Sequence, residues 1–115
     1  MTTGVLLDPR FNGHFMGPGH IECPERLEAI EALLKTELDF SPARIAARPA
    51  SAAELARVHA PEYIDFLSRT RERAHTPLDG DTAASSLSYE AALLAAGGTI
   101  EAADFVLAGP GRNAF

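Results

Sequence analysis

Apolar positions along the chain fall into separate runs, and their spacing changes from one run to the next. Residues 3 to 7, Thr-Gly-Val-Leu-Leu, form a short apolar run ending at Asp8-Pro9, which predicts a buried strand. An irregular stretch follows from Arg10 to Cys23, carrying Gly13, Gly17, Pro18, Gly19 and two histidines. Long glycine-rich connections inside a compact domain are uncommon and tend to carry function. Pro24 then takes a first helical position, with Glu25 beside it to favour the helix dipole. Leu27, Ile30, Leu33 and Leu34 recur at helical spacing, so a helix is predicted over residues 24–36.

A second strand is predicted around Arg44 to Ala47, and Ser51-Ala-Ala-Glu54 is a capping-box pattern opening a short helix. Pro61-Glu62 starts another helix, with Tyr63, Phe66 and Leu67 on one face; these, like Tyr89 and Leu94, read as core. Residues 74–86 read as a polar loop, and 87–107 are helical again with Gly97-Gly98 in the middle. Two adjacent glycines cost a helix about 2 kcal/mol of propensity relative to alanine. Their presence predicts a close backbone approach, against a sheet. Gly109 to Phe115 reads as a turn leading into the first residues of a third strand. Strands alternating with helices imply an α/β fold whose parallel sheet is flanked by helices. With so few strands, that sheet is incomplete in this chain.

Composition narrows the function classes. The 115 residues suit one domain, and 46% hydrophobic content supports a packed core. The formal net charge is -6, and Arg69, Arg71 and Arg73 are interleaved with Glu72 and other polar residues. Nucleic acid as a partner is not expected, because clustered cations are needed to displace counterions from phosphates. A membrane is not expected either, since no apolar run approaches the ~20 residues that span a bilayer. The single cysteine, Cys23, excludes an internal disulfide and fits a reducing compartment. Without a leader pattern at the amino terminus, a cytoplasmic location is expected.

Three segments in fixed order resemble the histone deacetylase superfamily, which also includes acetoin-utilisation proteins and acetylpolyamine amidohydrolases. His14-Phe-Met-Gly17-Pro-Gly19-His20-Ile-Glu22-Cys-Pro24-Glu-Arg26-Leu27 is similar to the family's opening loop and first helix. Leu55-Ala-Arg-Val58-His59-Ala-Pro-Glu-Tyr63-Ile64 resembles its usual V-H-x-x-x-Y helix pair. Leu78-Asp79-Gly-Asp81-Thr82, leading to Ser88-Tyr89-Glu-Ala-Ala92 and Ala96-Gly97-Gly98, is similar to the segment that follows. The detail resembles the bacterial, class II-like branch. Ile21 departs from the family's usual proline and should loosen the loop slightly.

The resemblance implies that residues 1–115 are the amino-terminal portion of one deacetylase domain with the arginase–deacetylase fold. It implies zinc as cofactor in the full-length family and an acetylated amine as substrate: acetyl-lysine, an acetylpolyamine or a related small amine. After Phe115 the family continues into an Arg-Pro-Pro-Gly-His-His segment and, further on, the Asp, His and Asp that bind zinc and a transition-state tyrosine. This chain alone is therefore expected to bind no zinc and to be inactive. The resemblance also places Arg26 in a product cavity beneath the metal, with Gly17, Pro18, Gly19 and His20 shaping the pocket. Asp79 is placed at the rim as the substrate-holding carboxylate.

The residues themselves leave other readings open. Arg26 could instead be a solvated helix arginine paired with Glu22 or Glu25. Asp81 suits ordering of the turn before Thr82, because short carboxylates satisfy free backbone N–H groups there. His14 and His20 are either a pair of metal ligands or side chains holding the loop's shape, the second being favoured without an H-x-x-x-H or E-x-x-H pattern. His59 reads as structural, and His75 as exposed. Cys23 precedes a helix whose dipole could activate a thiol, but with no base beside it an inert thiol is expected. A different class of protein also fits: a short binding or assembly module, docking or self-associating through its exposed sheet edge and apolar face.

Overall fold

The computed structural model describes residues 2–36 and 41–115. The central strand is β1 (Thr3–Val5), and a 3-10 turn over Pro9–Gly13 follows it. Asp8 caps that turn by accepting the Arg10 N–H at 2.9 Å, and its carboxylate also pairs with the Arg10 guanidinium at 2.7 Å. Helix α1 (Pro24–Thr36) crosses back to β2 (Ala43–Arg44). Two short helices come next, α2 (Ala52–Leu55) and α3 (Pro61–Ser68). A hairpin of β3 (Thr76–Pro77) and β4 (Ala83–Ala84) leads into the long helix α4 (Ser88–Leu107), and β5 (Asn113–Ala114) completes the order.

The sheet runs β2-β1-β5 and all pairing in it is parallel. Gly4 faces Ala43 on one side and Ala114 on the other, so β1 is flanked by both later strands. Backbone bonds extend the ladder past the strand ends: Ile45 N–H to Val5 O at 2.9 Å and Leu6 N–H to Phe115 O at 2.8 Å. The third strand predicted from Gly109 onward is therefore present. The predicted polar loop over 74–86 contains a hairpin, and the signal for it was the Asp79-Gly80 dipeptide, a strong turn former.

The predicted helical glycines are where α4 meets its neighbours. A side chain on Gly97 would stand 2.7 Å from Ala50 N and 2.8 Å from Pro49 C, and closer still to Arg48 O. The segment after β2 thus lies directly on the helix backbone, and Ala50 N–H donates to Leu93 O at 2.8 Å. Gly98 faces the Leu6 side chain, at the end of β1. Arg48 binds this corner together, donating to Glu54 at 2.8 and 2.9 Å and to Glu101 at 2.7 Å. The Ser51–Glu54 capping box is complete in both directions, as predicted.

The core is small. Val5 and Leu94 are its largest fully buried side chains, accompanied by Ala50, Ala83, Ala84 and Ala91. Leu94 is core as predicted, but Tyr63 is 47% exposed and Phe66 52%. Helical spacing identified their shared face correctly; among the described residues it is only about half covered. Leu33 of α1 is likewise 53% exposed. The radius of gyration is 15.7 Å, against about 13 Å for a compact chain of this length. With extents of 42 × 34 × 19 Å the molecule is a slab with uncovered apolar surface.

Two measurements check this packing. Gly97→Ala places a methyl against rigid backbone and is expected to destabilise by about 1–3 kcal/mol despite better helix propensity. Gly98→Ala meets only the tip of a leucine, so denaturant titration should show a smaller loss. Bonds from Arg48 and the Ser51 N–H hold the Glu54 carboxyl down to about 2, and those from Arg10 hold Asp8 at about 2. Both groups stabilise the fold while ionised, so their contribution is complete above their ordinary values of 4.5 and 3.8. It is lost as pH falls towards 2. Circular dichroism at fixed denaturant should show that loss, and R48Q should shift it upward in pH.

Candidate substrate rim

The glycine-rich loop owes its shape to two residues that only glycine serves well. Gly17 has φ 125° and Gly19 φ 75°, both in left-handed space. Pro18 precedes Gly19, and the His20 N–H points to Gly17 O at 3.4 Å, the residue pattern of a type II turn. This turn presents the His20 ring to the β3–β4 loop, 61 residues further along the chain.

Both ring nitrogens of His20 are engaged. Nδ1 accepts the Glu22 N–H at 3.0 Å, which leaves the proton of the neutral ring on Nε2. Nε2–H then donates towards the Asp81 carbonyl at 3.0 Å and the Asp81 carboxylate at 3.1 Å. His14 is directed elsewhere. Its Nδ1 lies 2.8 Å from Ser88 Oγ, at the start of α4. Ser88 Oγ also accepts the Ser85 N–H at 2.7 Å, and Ser85 Oγ donates to Gly13 O at 2.8 Å. The loop is therefore fastened at both ends to the hairpin–α4 segment, which supports the shape-holding reading of the two histidines. The sequence signal for these serine partners is the run Ser85-Ser86 just before the helix, with Ser88 in its first turn.

The two aspartates exchange the expected geometry. Asp79 Oδ1 accepts the Asp81 N–H at 2.8 Å, and this bond together with Thr82 holds its carboxyl below the usual carboxylate range. Turn ordering thus falls to Asp79, because a short carboxylate two residues before a free N–H closes an Asx-type turn. Asp81, expected to do that work, instead turns its carboxylate outward, 95% exposed, with His20 beside it. Met16, His20, His75, Asp79, Asp81 and Thr82 line a polar depression of about 210 Å³ at this rim.

Arg26 pairs with Glu22 one helical turn away, and its side chain is 58% exposed. In this chain it takes the ion-paired arrangement, open to solvent, on the same short segment as His20. The Glu25 carboxylate, two residues on, raises the Cys23 thiol pKa. That is the opposite of activation, and it agrees with an inert thiol. A larger apolar groove of about 480 Å³ runs beside the rim, between Leu27, Tyr63, Leu67 and Tyr89, with His14 and Ser88 in its wall. The His14–Ser88 contact alone does not activate a nucleophile, since a base must itself be oriented by a third group. Among the described residues no group of three or more His, Cys, Asp and Glu side chains converges to hold a metal ion. The donors present here therefore do not fit a zinc site. Nor is any helix among the described residues long and apolar enough to cross a membrane.

This geometry has a counterpart in solved structures. The crystal structure of the HD domain of HDA15 superposes on the whole chain with a TM-score of 0.90 at 33% identity, and the chain covers 34% of it. The architecture is the arginase–deacetylase fold, an α/β arrangement whose parallel sheet is incomplete here. Residues 20–115 match the histone deacetylase domain, and the chain belongs to that family. It is 35% identical over 118 residues to a "Probable deacetylase" of Archaeoglobus fulgidus, covering 100% of this chain and 33% of that protein. It is 36% identical over 100 residues to the histone deacetylase-like amidohydrolase of Pseudomonas aeruginosa, covering 84% of this chain and 26% of that protein. The chain thus spans a third or less of the curated relatives just described.

The glycine turn provides the test of the rim. Gly19→Ala forces a side chain into left-handed backbone and is expected to cost about 1–3 kcal/mol locally. Hydrogen exchange should then accelerate at the His20 and Glu22 amides while the amides of α4 stay protected. Unchanged exchange at the loop would show that the turn does not depend on Gly19.

Proposed function

We propose that these residues form the substrate rim and one wall of a zinc-dependent deacetylase domain that hydrolyses acetyl amides. Its substrate is acetyl-lysine, an acetylpolyamine or a related small acetylated amine. The observation that carries the reading is the exposed Asp81 carboxylate at a rim depression, in a chain of the histone deacetylase family. Among the described residues no Lys or Arg pairs with this carboxylate, so it can accept hydrogen bonds from a substrate amide or amine. Asp79 is tied into its own turn, so the substrate-holding role passes to Asp81.

The metal-dependent step needs a Lewis acid on the amide carbonyl, an activated water and a general base. We place that machinery in the part of the family's domain that these residues do not cover. Gly17, Pro18, Gly19 and His20 contribute by holding the rim in place. Arg26 serves the product cavity once the facing wall is present to cover it. A second reading, association through the sheet edge, draws support from Phe115, 65% exposed where it continues β5.

Purified residues 1–115 and the intact gene product should be compared for bound zinc and for acetate released from an acetyl-lysine peptide. The isolated chain is expected to show neither; stoichiometric zinc with turnover in it would overturn the reading. In the intact product, D81N is expected to raise KM about tenfold, by loss of a charged hydrogen bond. D79N should act mainly through stability. Equal KM effects would contradict the separate roles given to the two carboxylates.

A further inference from the structure

We infer that His20 is a positioning residue for the Asp81 carboxylate, so that the glycine loop sets where the rim presents its negative charge. This rests on the reading of Asp81 as the group that holds substrate, and it adds what holds Asp81. A carboxylate 95% exposed on a loop is free to change rotamer, and solvent offers it many equivalent hydrogen bonds. Among the described residues, the side-chain partner of that carboxylate is His20 Nε2 at 3.1 Å. The same N–H also reaches the Asp81 backbone carbonyl at 3.0 Å, so one donor fixes both the main chain and the side chain of this residue.

The imidazole can do this because its other nitrogen is held. The Glu22 N–H on Nδ1 fixes both the tautomer and the ring's orientation. The ring itself is only 25% exposed, which limits the rotamers open to it. Upstream, Gly17 and Gly19 supply the left-handed backbone that aims the ring. The chain of causes is a turn that aims a ring, and a ring that aims a carboxylate. Other titratable groups face the depression: Asp79, bound in its own turn, and His75. Glu22 is turned away to Arg26.

The two ring nitrogens can be separated by substitution. Asparagine puts its amide oxygen near the position of Nδ1 and retains the acceptor for Glu22. Glutamine reaches the position of Nε2 and retains the donor to Asp81. In the intact gene product, H20Q, which keeps the donor to Asp81 but loses the Glu22 bond, is expected to shift the Asp81 side-chain carboxyl ¹³C signal and to raise KM for an acetyl-lysine peptide less than H20N or H20A does. H20N and H20A are expected to shift that signal and to raise KM about threefold to tenfold with kcat nearly unchanged. The inference is overturned by an Asp81 signal that no variant moves, or by Asn and Gln behaving alike. The carboxyl signal needs no substrate, so failure of this inference and failure of the deacetylase reading remain distinct. A signal shifted by H20N in a protein without turnover supports the placement made here and counts against the deacetylase reading instead. Should the alanine variant fail to fold, the Asn–Gln comparison decides alone.

Discussion

At Gly97 backbone lies directly against backbone, with Arg48, Pro49 and Ala50 resting on α4. No side chain fits between them, and the Ala50 N–H finds its acceptor in the helix's own Leu93 carbonyl. This contact fixes α4 relative to the segment leaving β2, and Gly98 lets Leu6 of the β1 end pack beside it. Arg48 then joins the corner to Glu54 and Glu101. Because α4 is held at its middle, its amino-terminal end is a firm mount. That end carries Ser88, to which His14 is fastened, and it follows directly from the hairpin that carries Asp81.

A rigid mount matters because the rim itself is built from loops. Loops hold a side chain in place only when backbone geometry and hydrogen bonds leave few alternatives. Here the glycine turn at 17–20 supplies the geometry, and the two imidazoles supply the bonds. Packing contributes less than usual, since the fully buried large side chains are Val5 and Leu94. Apolar side chains on α3 and beside β5 stay about half exposed or more, and the chain covers about a third of HDA15's HD domain.

Much of this was legible in the sequence. Capping signals and periodicity located α1, α2, α3 and α4, because those features act within a few residues of one another. The double glycine announced a close approach, though not that the partner would be the Arg48–Ala50 segment, a contact about fifty residues away in sequence. Burial was the weaker inference. Tyr63 and Phe66 sit on a correctly identified face, but burial depends on a covering partner that local spacing cannot supply. The roles of Asp79 and Asp81 could not be separated either. Both have the chemistry to order a turn, and which one does so is decided by the hairpin register and by His20 arriving from sixty-one residues away.

The proposed function has these residues presenting a carboxylate to an acetylated amine and holding no metal themselves. A crystal structure of the intact gene product with an acetylated amine bound tests it most directly. The account predicts the Asp81 carboxylate within hydrogen-bonding distance of a substrate nitrogen, His20 still beside it, and Asp79 closed on its own turn. A ligand bound away from the rim with Asp81 turned aside, or a metal ion held by His14 and His20, would contradict it.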